Sequence, residues 1–186
     1  LYAPITRQYT ESFTENSKLP EPIPYVRNHW QYPRTIEENT ALLKQWFQVW
    51  PGTSFSYEYH FWKHQHMDPG LMYISRRIYE DIRSLKLIGL QGYVEDGSQR
   101  SFFPNGFHIY IYAETLMNRD CDYDTVVEDY FSHIYGEDWK KVKDLLERMT
   151  EAFDFAYLSG QCSKDPKKGH YFNPDKAVRL AQVKEI

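Results

Sequence analysis

The sequence predicts an α/β fold: a parallel sheet built from βα units, followed by a region of helices alone. Two observations carry this. Strand-like stretches at Leu1 to Ile5, Thr53 to Phe61 and Leu90 to Glu95 are separated by segments with helical spacing, and strands joined through helices of that length form right-handed βαβ units with parallel strands. Beyond Asn118 only helical patterns remain. At 186 residues the chain is long enough for one sizeable core.

The first strand, LYAPI, is short, apolar and interrupted by Pro4. A long loop from Thr6 to Arg34 follows, with Pro20, Pro22, Pro24 and Pro33 among Arg7, Arg27, His29, Trp30 and Tyr32. Loops longer than about 12 to 15 residues are usually functional or disordered, and the aromatics favour an ordered, functional one. Thr35 and Glu38 form a capping-box pair, after which Ile36, Leu42, Leu43, Trp46, Phe47 and Trp50 recur at helical spacing until Pro51 and Gly52. Thr53 to Phe61 alternates, with Phe55, Tyr57, Tyr59 and Phe61 on one face and Ser56, Glu58 and His60 on the other.

After the loop WKHQHMDPG, Ile74, Ile78, Ile82 and Leu85 mark a helix from Leu71 to Leu87, closed by Gly89. The third strand leads to a helix from about Phe107 to Met117. Further helices are expected over Tyr123 to Tyr135, closed by Gly136, over Glu137 to Leu158, closed by Gly160, and after Pro174. From Arg119 to Gly160 eleven acids outnumber five bases, which reads as a solvated helical face.

Composition narrows the function. The formal charge of −4 and the lack of a basic run argue against nucleic acid as a main partner. No apolar run approaches the roughly 18 residues that cross a bilayer, and no signal peptide is present. The absence of Met at position 1 and an opening on a buried-looking strand predict a piece of a larger protein. Aromatic residues make up 17% of the chain, and their flat faces suit both core packing and stacking on sugar rings. Cys121 and Cys162 fit no metal knuckle or disulfide scaffold and read as free thiols. No Gly-rich phosphate loop or nucleophile elbow occurs, and no cofactor is expected.

The chemistry is expected at the strand ends. Assigning the more apolar strand faces to the helices puts Ser56, Glu58 and His60 inward on the second strand, and Gln91, Tyr93 and Glu95 inward on the third. Neighbouring strands lie about 4.8 Å apart, so Glu58 and Glu95 at equivalent heights would fall within the roughly 5 to 9.5 Å separation of paired glycosidase carboxylates. Burial beside a second carboxylate raises the pKa of one of them, as a general acid requires. Glu58, Glu95 and Asp96 are therefore the candidate catalytic residues. Arg7, Trp30, Tyr32, His60, Trp62, His64, Tyr93 and Arg100 are the candidate substrate contacts. A competing reading makes Glu58 or Glu95 a buried partner for Arg7, Arg27 or Arg100. His60, His64 and His66 with Asp68 do not have a recognised metal-ligand spacing, and no metal is expected.

The segments YAPITRQYTES, VRNHWQYPRT, FSYEYHFWKHQHMDPG and above all GLQGYVEDGSQRSFFPNGFHIYIYAETLMNRDCDYDTVVEDYFSHIYGEDW resemble the bacterial domain-of-unknown-function family 4838. That family is similar to the catalytic barrels of glycoside hydrolases of the hexosaminidase and α-glucuronidase kind. The resemblance implies the last three βα units of a TIM-type (β/α)8 barrel over residues 1–118, with residues 119–186 as helices packed on it. It implies a carbohydrate substrate and, as a further partner, the remaining N-terminal barrel strands of the same protein. Three activities are in view: glycoside hydrolysis, carbohydrate binding or scaffolding without hydrolysis, and metal-dependent sugar isomerisation or lysis at His60, His64 and Glu58.

Overall fold

The computed structural model describes residues 1–13, 18–29, 31–97, 103–181 and 183. It is an α/β structure in which helices dominate and the sheet is small and parallel. Local signals account for the helix boundaries. In α1 (Ile36–Val49) the Thr35 hydroxyl accepts from the Glu38 N–H at 3.2 Å and the Glu38 carboxylate accepts from the Thr35 N–H at 3.2 Å, the capping box read from the sequence. α3 (Phe107–Met117) and α4 (Tyr123–Tyr135) take the expected bounds, α4 opening where Asp122 accepts from the Thr125 N–H at 2.8 Å.

Two helix bounds differ from expectation. α2 (Met72–Ser84) ends before Leu87, and a turn through Lys86 leads to Gly89 at φ 82°. The helix expected over Glu137 to Leu158 is broken into α5 (Trp139–Phe153) and α6 (Phe155–Leu158) at Asp154, whose φ of 53° leaves the right-handed helical region. The Asp154 carboxylate then accepts from the Tyr157 N–H at 3.1 Å and restarts the chain as a new helix. α7 (Pro174–Ala181) follows and packs on α5.

The strands are shorter than their patterns. β1 (Ser56–Glu58) pairs in parallel with β2 (Tyr93–Glu95) in the register Ser56 to Tyr93 and Glu58 to Glu95, and Tyr2 bridges in parallel to Ser56 on the other side of β1. The spatial order is therefore Tyr2, β1, β2. β1 stops where Tyr59 to Lys63 coil into turns ahead of the short 3-10 helix His64–Met67.

The largest correction concerns which strand face is covered. The Tyr2 hydroxyl reaches the backbone and side chain of Asn39 on α1 at 3.2 and 3.0 Å, and His60 reaches Asp81 on α2 at 2.8 Å. Both helices thus lie on the face that carries Ser56, Glu58 and His60, all three fully buried. The other face is open, with Phe55 at 42% and Val94 at 41% exposure. The expected assignment of the apolar face to the helices fails because the polar side chains find charged partners there, which offset part of the cost of burying them.

The apolar core, with Phe13, Ile74, Ile78, Phe107, Ile111 and Phe131 fully buried, runs on without interruption into Val127, Leu146 and Phe155 of the later helices. A polar joint locks α2 to α5. The Asp68 carboxylate accepts from the Ile74 N–H at 2.9 Å and from the Thr150 hydroxyl, and burial raises its pKa. Gly70 sits in this joint so closely that a β-carbon would lie 2.0 Å from the carbonyl oxygen of Leu146. No helix among the described residues is long and apolar enough to cross a membrane.

Gly70→Ala is expected to force α5 away from α2 at a cost of about 1–3 kcal/mol, a fall in Tm of roughly 2–12 °C for a chain of this size. Thermal unfolding followed by circular dichroism measures it, and an unchanged Tm would contradict the close approach.

Candidate functional site

The covered face of the sheet holds a cluster of ionisable groups built on Arg7. After the single bridge at Tyr2 the chain folds back so that the Arg7 side chain, 1% exposed, reaches under the sheet. Its guanidinium donates to Glu58 Oε2 at 3.3 Å, to Asp81 Oδ1 at 2.8 Å and to the Glu11 carbonyl at 2.9 Å. It also lies over the rings of Tyr9 and Phe13, 4.4 and 4.2 Å from their centroids. Burial alone would favour the neutral guanidine, but Asp81 and Glu58 hold Arg7 firmly charged.

Glu58 is fully buried and accepts three hydrogen bonds from within the protein. Oε2 accepts from Arg7 and from the Tyr9 hydroxyl at 2.6 Å, and Oε1 accepts from the Ser56 hydroxyl. The Tyr9 oxygen in turn accepts from the Tyr59 N–H at 2.8 Å. Tyr9 makes these contacts from φ 56°, a left-handed conformation that costs a non-glycine residue about 1–2 kcal/mol and is held by the surrounding bonds.

His60 continues the cluster. One ring nitrogen, Nε2, meets Asp81 Oδ2 at 2.8 Å and the other, Nδ1, meets Glu95 Oε1 at 2.6 Å. Burial by itself would lower the His60 pKa, yet the two carboxylates outweigh it and raise it to about 9. One ring nitrogen against each carboxylate is the arrangement that suits an imidazolium donating to both acids. Burial would also raise Asp81, but Arg7, His60 and the Phe13 N–H hold it below the usual carboxylate range. Glu95 goes the other way: burial raises its pKa against the pull of His60.

The candidate residues accordingly separate. Glu58 and Glu95 do stand side by side at equal height, as the register requires, but on the helix-covered face rather than the open one. Arg7 and His60 are buried in the same cluster, and the Tyr93 hydroxyl is buried there without a hydrogen-bond partner. His64 is buried next to it. Its ring and that of His60 each lie 4.5 Å from Tyr9, and burial lowers the His64 pKa to about 3. The set His60, His64 and Glu58 does not converge on one point, and no group of three or more metal-ligating side chains does so among the described residues.

Trp62 and Asp96 belong to the open side. Asp96 accepts from the Tyr57 hydroxyl at 3.1 Å, and Trp62 is 44% exposed. The rings of Tyr57, Tyr59 and Trp62 follow one another at 5.4 and 5.7 Å, tilted by 60° and 55°. Tyr32 lines a different cavity of about 490 Å³ between the proline-rich loop and α1, together with Tyr25 and Trp46. Trp30 and Arg100 lie outside the described residues.

Asp81 and Tyr9 are the members that sequence reasoning missed. Asp81 carried a usable signal: it stands three residues after Ile78 and four before Leu85, an acid set into the apolar stripe of α2. Such a position is buried and demands a partner.

No family model matches this chain, and neither a curated protein nor a solved structure does.

Removing the guanidinium leaves Glu58 and Asp81 buried without their counter-charge. Arg7→Leu is therefore expected to cost about 3–5 kcal/mol, read as a shift of the urea midpoint. A loss below about 1 kcal/mol, the range of a surface ion pair, would contradict the cluster.

Proposed function

We propose that this chain is part of a glycoside-hydrolase-like protein and binds a glycan on the open face of its parallel strands. The observation that carries the reading is the tilted series Tyr57, Tyr59 and Trp62, which ends in an exposed indole and stands beside the Asp96 carboxylate. Exposed rings in sequence offer apolar faces to the C–H side of sugar rings, while a neighbouring carboxylate accepts from their hydroxyls.

The finer reading of the fold goes with it: the last three βα units of a (β/α)8 barrel. It is supported by the strict parallel order of Tyr2, β1 and β2, by α1 and α2 lying on one common face, and by the apolar side chains left bare on the other. In a barrel the bare face is the interior, and ligands meet residues at the carboxyl ends of the strands. Tyr59, Trp62 and Asp96 occupy those ends. The resemblance to family 4838 points the same way, with the preceding strands as the partner that completes the wall.

Within this reading Glu58 is a structural carboxylate, since it is fully buried and bonded to Arg7, Tyr9 and Ser56. Asp96 is the strand-end acid that faces the glycan. Its role is to hold hydroxyls, and hydrolysis requires a second carboxylate at about 5 to 9.5 Å from it.

Titration calorimetry with a panel of neutral and uronic-acid oligosaccharides tests the proposal. Binding is expected for at least one class, weakened about 3–10-fold by Trp62→Ala, the equivalent of roughly 0.5–1.5 kcal/mol of ring stacking. Asp96→Asn is expected to weaken it too, and Tyr32→Ala to leave it unchanged. Absence of binding across the panel, or binding indifferent to Trp62→Ala, would overturn it.

A further inference from the structure

The ionisable cluster has an uneven composition. Two bases, Arg7 and His60, face three acids, Glu58, Asp81 and Glu95, and the side chains of all five are buried. Every carboxylate oxygen in it has a partner except one, Glu95 Oε2, which is buried and accepts nothing. An unpaired carboxylate oxygen away from water is costly, whereas a protonated one is tolerated. The oxygen that bears no bond is also the one that can take a proton without breaking the contact to His60.

The strand that Glu95 terminates is weakly held. β2 spans three residues, Val94 in its middle is exposed, and the next contact is the Asp96 N–H donating to the Glu58 carbonyl at 3.0 Å. Gly97, at φ 87°, lies directly against the backbone of Phe61 and Trp62. The Glu95 contact to His60, and through it to Asp81 of α2, is thus the side-chain tie that anchors this end of β2 to the helix layer.

We propose that Asp81, His60 and Glu95 form a proton-controlled latch: with a proton on Glu95 Oε2 the end of β2 is held down, and its loss to solvent base releases Glu95 together with Asp96 and Gly97. The groups that face Glu95 are Glu58 of β1, His60 in the turn just beyond it, Asp81 of α2, Tyr93 of β2 and Tyr9 of the N-terminal segment; Tyr57 and Tyr112 also feel its charge. Burial raises the carboxyl in the folded state, so its contribution to stability is complete below the unfolded-state value of about 4.3 and is lost as pH rises through the folded-state value. His60 acts in the same direction, its contribution falling away as pH rises through about 9.

The inference does not rest on glycan binding and is tested without a ligand. In protein labelled with ¹³C and ¹⁵N, NMR titration is expected to show the Glu95 carboxyl carbon titrating above the other glutamates. The amide signals of Asp96 and Gly97 should shift with the same midpoint. Glu95→Gln keeps an acceptor for His60 but cannot ionise, and the Asp96 and Gly97 transition at that midpoint should disappear. An ordinary glutamate midpoint for Glu95 in the wild type, or an unchanged Gly97 transition in Glu95→Gln, would overturn the latch. Should Glu95→Gln not fold, the wild-type titration decides by whether the carboxyl and the two amides share one raised midpoint.

Discussion

The Arg7 guanidinium, enclosed between Glu58 and Asp81, is the interaction on which the rest of this structure depends. It joins a residue of the N-terminal segment to β1 and to α2. Desolvating an ion pair costs several kcal/mol per charge, repaid only when every remaining lone pair and proton is bonded. Tyr9, Ser56, His60 and the Phe13 N–H supply most of those bonds, while the buried Arg7 Nε stays without a partner among the described residues. The layer between sheet and helices is therefore specified by polar complementarity, where most α/β proteins place branched apolar side chains.

That choice decides what the other face looks like. With the charged residues turned toward α1 and α2, the aromatic positions of β1 face outward, and Phe55, Val94 and Trp62 are left substantially exposed. The same alternation that buries Glu58 and Glu95 presents Tyr57 and Asp96. Structure and proposed function are thus complementary halves of one pattern: one face anchors the fold, the other is free to meet a ligand.

Helix positions were legible in the sequence because their signals are local. The Thr35 and Glu38 pair, Asp122 ahead of α4 and Gly136 after it lie within a few residues of what they determine. The break at Asp154 was not legible, since Glu137 to Leu158 keeps helical spacing through it and the left-handed turn is held by the Asp154 carboxylate on Tyr157. The strand faces were legible as two sets, but not which set is covered. That depends on Arg7, 51 residues from Glu58, and on Asp81, 21 residues from His60. Polarity alone pointed Glu58 into an open site, while the reading of Glu58 as a buried partner of Arg7 is the one the geometry realises. Asp81 was hidden inside a helix whose apolar stripe looked complete without it.

The central claim, that the polar face of β1 is covered and the aromatic face open, is tested most directly by cysteine labelling. In a Cys121→Ser, Cys162→Ser background, Ser56→Cys and Tyr57→Cys place a thiol on each face of the same strand. The thiol at position 57 is expected to react with a maleimide at nearly the rate of the unfolded chain, and the thiol at position 56 to be protected until the protein unfolds. Rapid reaction at 56 with protection at 57 would contradict it.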